Sequence, residues 1–158
     1  MCVHDLLGML LFLTLLVSVG VRAQNDPLIG TWKLNLTKSK YSLGPAPKSQ
    51  IIKYEPYGGD GLKITTDGVD AQGNSTHTEA SAKFDGKDYP LTGSPNADTI
   101  SMKRIDDNTT ERTYKKAGKV TSTSRRVVSR DGKTLTLTNK GTDAQGEPTS
   151  SVAFYDKQ

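Results

Sequence analysis

The sequence predicts an all-β protein, an up-and-down antiparallel β-barrel of about eight to ten strands. Three observations support this fold class. From Leu28 onward no stretch places apolar residues at helical spacing. Short runs rich in Thr, Val, Ile, Tyr and Ser alternate between apolar and polar residues, which is typical of half-buried strands. Turn signals built on Gly, Pro, Asn and Asp separate these runs at short intervals, so consecutive strands are expected to pair as hairpins.

The first element is predicted to be a signal peptide, residues 1–23. Leu6–Val21 is an almost continuous apolar run, and the Arg22-Ala23 that follows completes a pattern typical of a signal-peptidase site. The run is shorter than the roughly 20 residues of a membrane-spanning helix, which favours a cleaved signal over an uncleaved anchor. Cleavage would leave residues 24–158 as one barrel domain, secreted or periplasmic, without stable membrane insertion.

Charge and cysteine content exclude several kinds of function. The chain has 21 Lys and Arg against 17 Asp and Glu, a net charge of +4. It has no long block of like charge, so nucleic acid is not an expected partner. The only cysteine, Cys2, lies before the predicted cleavage point, so the mature domain should lack disulfides and thiolate metal sites.

The mature domain contains a single histidine, His77, which alternation places on the outer face. One histidine provides neither a His-based metal site nor a persuasive catalytic triad. We therefore expect no enzymatic activity, no metal and no cofactor.

Ten strands are predicted in order along the chain. They cover approximately residues 29–36, 49–55, 62–67, 75–84, 87–91, 97–105, 109–116, 119–129, 133–140 and 149–157. The short links predict a meander, and closing it into a barrel hides its two edges. The one long connection, residues 37–48, contains two prolines and a glycine, which disfavour a helix there.

One phrase occurs twice. Residues 68–74 read GVDAQGN and residues 141–148 read GTDAQGEP, each after a run with alternating apolar residues. Asp can begin a turn by accepting hydrogen bonds from backbone N–H groups, and Gly can end it with a positive φ. A calcium loop is the alternative, but its ligands would fall at every second position and end in a downstream carboxylate, which neither copy has. The phrase is predicted to be one kind of hairpin turn used twice.

The start and end of the mature chain resemble a known family. Gly30-Thr31-Trp32-Lys33-Leu34 on the first strand resembles the Gly-x-Trp start of the fatty-acid-binding proteins and lipocalins, the calycin barrels, in which this tryptophan closes one end. The final strands are similar too, through the segments 114–119, 125–128, 131–133 and 152–157. The resemblance implies a barrel that binds a small hydrophobic or amphipathic ligand.

Two features depart from the fatty-acid-binding pattern. The Gly- and Pro-rich segment 37–48 replaces a two-helix lid, and Ala153 stands where the Arg-x-Tyr of the last strand has its arginine. Tyr155 matches the tyrosine. The arginine of the earlier strand corresponds to Arg126, or to Arg125 if the register shifts by one.

Alternation along the strands predicts the inward side chains. An apolar wall is formed by Trp32, Leu34, Leu36, Leu62, Ile64, Ala80, Ala82, Phe84, Leu135 and Leu137. A mixed wall follows from Ile100, Met102, Arg104, Thr110, Arg112, Tyr114, Val120, Ser122, Ser124, Arg126 and Val128. Small inward residues, among them Ala80 and Ser122, leave volume for a cavity.

Inward arginines require an anion. A guanidinium stays protonated in a protein, and a buried unpaired charge is costly. The anion is either a ligand head group or an internal partner such as Glu111, Asp98 or bound water; a register shift of one would instead expose the arginine.

The inward side chains define the predicted ligand-binding site. The expected ligand-binding residues are Arg126, Tyr155, Arg104, Arg112, Tyr114, Phe84, Met102, Ile64 and Leu137, with Gly30 and Trp32 closing one end of the barrel. The expected function is non-enzymatic binding, by a monomer, of a small hydrophobic or amphipathic molecule that is anionic. The alternative is a filled barrel that acts through its exterior as an interaction or inhibitor module.

Overall fold

The computed structural model describes residues 25–158, which form ten β-strands. The strands are β1 Gly30–Leu43, β2 Ser49–Pro56, β3 Gly61–Val69, β4 Ser75–Lys83, β5 Tyr89–Thr92, β6 Thr99–Arg104, β7 Thr109–Lys116, β8 Lys119–Val128, β9 Thr134–Thr142 and β10 Pro148–Lys157. The predicted signal peptide, residues 1–23, lies outside the described residues. Within residues 25–158, no helix is long and apolar enough to cross a membrane.

The sheet closes on itself. Each strand pairs antiparallel with the next one in the chain, and β1 also pairs with β10. Trp32 on β1 lies opposite Lys157 on β10 and opposite Ile52 on β2. Closure pairs the backbone groups that an open sheet would leave unpaired at its two edges. The prediction of an all-β, up-and-down antiparallel barrel is confirmed, and each of the ten predicted strands overlaps an observed one.

The first strand is longer than predicted, because it continues past a bulge. Between Asn35 and Lys40 the register against β10 shifts. The Ser39 hydroxyl stabilises the bulge by donating to the Asn35 carbonyl oxygen at 2.7 Å and accepting from the Phe154 backbone N–H at 2.9 Å. The bulge turns Leu36 outward, where it is 42% exposed. The predictions that Leu36 points inward and that residues 37–48 form one long connection are therefore wrong.

A second bulge changes the start of β8. The pairing of β7 with β8 shifts between Tyr114 and Lys115, whose partners are Ser122 and Val120. Val120 is 59% exposed as a result, so its predicted inward position is also wrong. An extra residue on one strand reverses the side on which the following residues lie.

A hydrophobic core fills one end of the barrel. Its members are almost completely buried: Leu28, Trp32, Leu62, Ala82, Met102, Val128 and Leu135. The Trp32 indole N–H donates to the Leu28 carbonyl oxygen at 2.7 Å, so the one polar group of this side chain is satisfied. Lys157 Nζ lies 5.0 Å from the indole ring centroid. Gly30 lies at the same end, where a Cβ would come within 2.9 Å of Lys157 Cε.

The repeated phrase forms two equivalent turns, one between β3 and β4 and one between β9 and β10. In each copy the aspartate accepts a hydrogen bond from the backbone N–H four residues later, Asp70 from Asn74 at 2.8 Å and Asp143 from Glu147 at 2.9 Å. The glycine that ends each phrase has a positive φ, 95° and 84°. The hairpin-turn prediction is confirmed. Both turns lie at the end of the barrel opposite the filled core.

The first glycine of the phrase has a different role, which substitution can test. A Cβ on Gly141 would lie 2.3 Å from the Thr121 carbonyl oxygen and 2.3 Å from Ser122 Cβ. Backbone atoms of β8 cannot move away cheaply, so we expect Gly141→Ala to lower the free energy of unfolding by about 1–3 kcal/mol. Urea denaturation measures the loss.

Gly146→Ala is the matched control from the same phrase. Gly146 has a positive φ, but a Cβ there meets no atom within 4 Å. We expect it to lose only about 1 kcal/mol, from backbone strain. Equal losses in the two variants would contradict a steric role for Gly141.

Candidate functional site

A cavity of about 690 Å³ opens at the end of the barrel that carries the two repeated turns. Asp70 and Asp143 of these turns line its mouth, together with Tyr41 and Pro47 from β1 and the link to β2. This volume lies within the range of about 300–1,000 Å³ that is usual for small-molecule sites. Only residues 44–48 connect β1 to β2, and no helical lid forms in this segment.

The cavity has one apolar side and one polar side. The more apolar side is formed mainly by β2 to β5, with Ile52, Ile64, Ala80 and Leu91, although Gln50, Thr66 and Thr78 of these strands also line the cavity. The polar side is formed by β7 and β8, with Arg112, Tyr114, Ser122 and Arg126. In a ten-strand ring these two groups of strands lie opposite each other. The lining therefore matches a molecule with an apolar part and a polar part.

The pairing of β7 with β8 directs the arginines inward. Arg112 lies opposite Ser124, and Arg126 lies opposite Thr110. All four side chains are buried, with Arg112 3% and Arg126 4% exposed. The predictions that Arg112 and Arg126 point inward are confirmed.

The hydrogen bonding of the two arginines is incomplete. Arg126 Nη2 donates to Tyr114 Oη at 2.8 Å, and the Arg112 guanidinium carbon lies 5.1 Å from the Tyr54 ring centroid. Arg112 Nε, Arg112 Nη2 and Arg126 Nε are buried without a hydrogen-bond partner among the described residues. Buried donors normally have a partner, so these nitrogens mark a position where an acceptor is favoured.

The arginines have no internal carboxylate partner in residues 25–158. Neither forms an ion pair in this part of the chain. Glu111 instead pairs with Arg125 on the outer surface at 2.9 Å. Asp98 accepts a hydrogen bond from the Ala117 backbone N–H at 2.9 Å. The alternative that Glu111 or Asp98 neutralises an inward arginine is therefore wrong.

Two buried tyrosines differ in acidity because of their neighbours. Burial by itself raises the pKa of Tyr114, but the positive charges of Arg126 and Arg112 outweigh burial and lower this pKa from 10.0 to about 8. Burial also raises the pKa of Tyr155, where the opposing effect of Arg126 is smaller. Burial also raises the pKa of Tyr41, so Tyr114 is the most acidic of the three phenols that line the cavity.

The structure places the other predicted ligand-binding residues in two groups. Ile64, Leu137 and Tyr155 line the cavity with the two arginines and Tyr114. Arg104, Phe84 and Met102 do not line it, since they lie toward the filled end. There Arg104 forms an ion pair with Asp26, and its guanidinium carbon lies 4.1 Å from the Phe84 ring centroid.

Several lining residues were not predicted. Gln50 lines the cavity and accepts a hydrogen bond from the Tyr155 hydroxyl, whereas Tyr54 does not line it but packs against Arg112. A simple signal was available for both, because Gln50, Ile52 and Tyr54 alternate along a predicted strand. Asn139 was missed as well; its amide donates to the Ser151 hydroxyl at 3.1 Å, which fixes the orientation of this part of the lining.

The outer surface carries a second, shallower concavity of about 460 Å³. It lies where β1 leaves β2, because these strands pair only over residues 30–33 and 51–54. Lys33, Leu36, Lys48 and Ile51 are among the residues that line it. The described residues contain no group of His, Cys, Asp and Glu side chains arranged to bind a metal.

Comparisons with known proteins identify the fold. No protein-family model matches the sequence, and no curated protein matches it. The fluorescent protein UnaG matches the structure with a TM-score of 0.56 at 15% identity, covering 82% of this chain and 96% of UnaG. A redesigned β-barrel matches with a TM-score of 0.51 at 14% identity, covering 87% and 96%.

A third match is weaker. The zebrafish ileal bile acid-binding protein complexed with cholic acid has a TM-score of 0.47 at 12% identity, covering 84% of this chain and 99% of that one. The likeness to UnaG shows the fold, a closed antiparallel β-barrel, which is the fold that the resemblance in the sequence implies.

Proposed function

We propose that this chain is an exported, non-enzymatic binding protein that holds a small amphipathic anion inside its barrel. The mature domain acts as a secreted or periplasmic monomer. The apolar part of the ligand packs against Ile52 and Ile64, and the charged part lies at Arg112 and Arg126, where Leu137 is the cross-strand neighbour of Arg126. Apolar burial supplies most of the affinity, and the arginines fix the orientation.

One observation carries the proposal: two buried arginines, which have no carboxylate partner within residues 25–158, line a cavity of about 690 Å³. A protein has little reason to bury unpaired charge unless an anion binds there, because the cost of desolvation is several kcal/mol per ion in real proteins. The apolar wall opposite the arginines adds that the anion belongs to a larger, partly apolar molecule. The calycin-type fold is compatible with this function.

Identification of the bound molecule tests the proposal directly. The mature protein is purified from its own source without detergent and studied by native mass spectrometry, and any bound species is extracted and identified. We expect an anionic amphiphile of a few hundred daltons, as fits a cavity of this size, at near unit stoichiometry. A protein that carries nothing and also fails to bind anionic fluorescent lipid probes would contradict the proposal.

The second candidate function is an interaction or inhibitor module that acts through the exterior. The concavity beside β1 favours it, since Leu36 and Ile51 are 42% and 43% exposed there. In that case substitutions on the outer surface, such as Ile51→Glu, would abolish the biological activity. Substitutions of Arg112 or Arg126 would leave it unchanged.

A further inference from the structure

Charge balance inside the barrel limits the head group that the cavity accepts. Arg112 and Arg126 contribute two positive charges at every pH at which the protein is folded. Among residues 25–158, the exposed Lys140 on β9 also lines the cavity, and so do two carboxylates, Asp70 and Asp143. Both lie in turns at the mouth, where their oxygens accept backbone hydrogen bonds.

The remaining titratable groups close to the arginines are phenols. Tyr114 on β7 contacts Arg126 on β8 through the 2.8 Å hydrogen bond, and Tyr54 on β2 lies against Arg112. Tyr155 on β10 also faces this group, with Tyr41 on β1 beside it. Burial raises the pKa values of Tyr41 and Tyr155, so these two phenols stay protonated at neutral pH and supply no charge.

Burial raises the pKa of Tyr114, but the charges of Arg126 and Arg112 outweigh burial and lower this pKa to about 8. Near neutral pH this tyrosine is mostly protonated, so it leaves the two positive charges of Arg112 and Arg126 largely uncompensated. A ligand with one negative charge would leave one guanidinium uncompensated, and a ligand with two would neutralise both. Both arginines have buried nitrogens without a hydrogen-bond partner among residues 25–158, which also favours a head group that contacts both.

We propose that the site takes a head group with two negative charges, such as a phosphate monoester or a dicarboxylate, and that at alkaline pH Tyr114 supplies a counter-charge when no such ligand is bound. This inference rests on the proposed function, since it specifies the ligand of the same cavity. Tyr114 acts as a specificity-determining residue. When it is protonated, both arginine charges are left for the ligand, and when it is ionised, it neutralises one of them.

Binding of the ligand and ionisation of Tyr114 are linked through one proton. An anion placed beside Tyr114 raises its pKa, so binding to the ionised form requires uptake of a proton. The affinity for a dianion is therefore highest below the pKa of Tyr114 and falls as the pH rises above about 8. A singly charged ligand perturbs Tyr114 less and loses less affinity. The preference for a dianion should thus narrow at alkaline pH.

Octyl phosphate and octyl sulfate are a matched pair of probes, with the same chain and a similar tetrahedral head group. At about pH 7.5 the phosphate has close to two negative charges, whereas the sulfate has one. Calorimetric titration below micelle-forming concentrations should show octyl phosphate binding at least about tenfold more tightly. At about pH 5, where the phosphate also has one charge, the preference should disappear.

The outcomes separate this inference from the proposed function. Equal affinities at about pH 7.5 would overturn the requirement for two charges but leave a cavity that binds anions. Binding of neither probe would overturn both. In Tyr114→Phe the preference for phosphate should persist at about pH 9, whereas the wild-type protein should lose most of it; the same loss in both proteins would overturn the role of Tyr114.

The linkage can also be tested in the wild-type protein, so that the result does not depend on whether Tyr114→Phe folds. Tyrosinate absorbance should show one phenol ionising at a pH of about 8. Saturating octyl phosphate should shift that ionisation to higher pH, by more than octyl sulfate does. An ionisation that does not move with octyl phosphate would overturn the proposed linkage.

Discussion

Replacing Arg126 by leucine should weaken the binding of octyl phosphate and make the ligand-free protein more stable. The loss of affinity should be about 2–5 kcal/mol, a factor of roughly thirty or more, because one of the charges that balances a buried anion is removed. The free energy of unfolding should rise by about 1–3 kcal/mol, because leucine is buried at lower cost than an unpaired guanidinium. Calorimetry with octyl phosphate and urea denaturation measure the two effects.

Two controls make the Arg126→Leu result specific. Affinity for 1-octanol, which has no charge, should change little in the variant. Arg125→Leu removes the neighbouring arginine, which points outward and is paired with Glu111, so it should leave the affinity for octyl phosphate unchanged. Unchanged affinity for octyl phosphate in Arg126→Leu, or an equal loss in Arg125→Leu, would contradict a head-group site at Arg126.

Trp32→Ala should cause the largest loss of stability of any substitution considered, about 3–5 kcal/mol. Trp32 is 0% exposed and fills the closed end of the barrel between Leu28 and Lys157. Alanine would leave a cavity that the surrounding strands cannot collapse to fill, because both neighbouring strands are fixed by pairing with β1. Thermal and urea denaturation with tryptophan-independent far-UV circular dichroism measure the effect.

Trp32→Phe separates volume from hydrogen bonding. It keeps most of the buried ring and removes the donor to the Leu28 carbonyl oxygen, so the expected loss is smaller, of the order of 1–3 kcal/mol. Val120→Ala, at a side chain that is 59% exposed, should change stability by less than about 0.5 kcal/mol. A loss in Trp32→Ala no greater than in Val120→Ala would show that Trp32 does not support the barrel.

Alternation was sufficient to predict most of the fold. Runs such as Leu62–Ile64 and Leu135–Leu137 have one apolar face, and Gly, Pro and Asp separate them, so the strands and hairpins could be placed from local chemistry alone. The same rule placed Arg112 and Arg126 inside. The bulge between β7 and β8 begins only after Tyr114, so the period of two is maintained at both arginines.

The errors arise where the period of two is interrupted. Leu36 and Val120 fall at register shifts, and nothing in the local sequence of β1 or β8 marks the extra residues. The extension of β1 depends on Ser39, whose hydroxyl contacts Phe154 on the far end of the chain. The partners of the arginines also depend on strands that are distant in sequence, as the contact between Arg112 and Tyr54 shows. Such contacts follow from the closed sheet and not from local patterns.

The seam between β1 and β10 also affects how the protein folds. It joins residues as far apart in sequence as Asn35 and Asp156, which are separated by 121 positions. A growing chain therefore cannot complete the ring until its last strand has been synthesised, and until then β1 and the newest strand remain as unpaired edges. We expect folding in milliseconds to seconds, as for other proteins dominated by non-local strand pairing. During that interval the nascent barrel is at its most prone to aggregate.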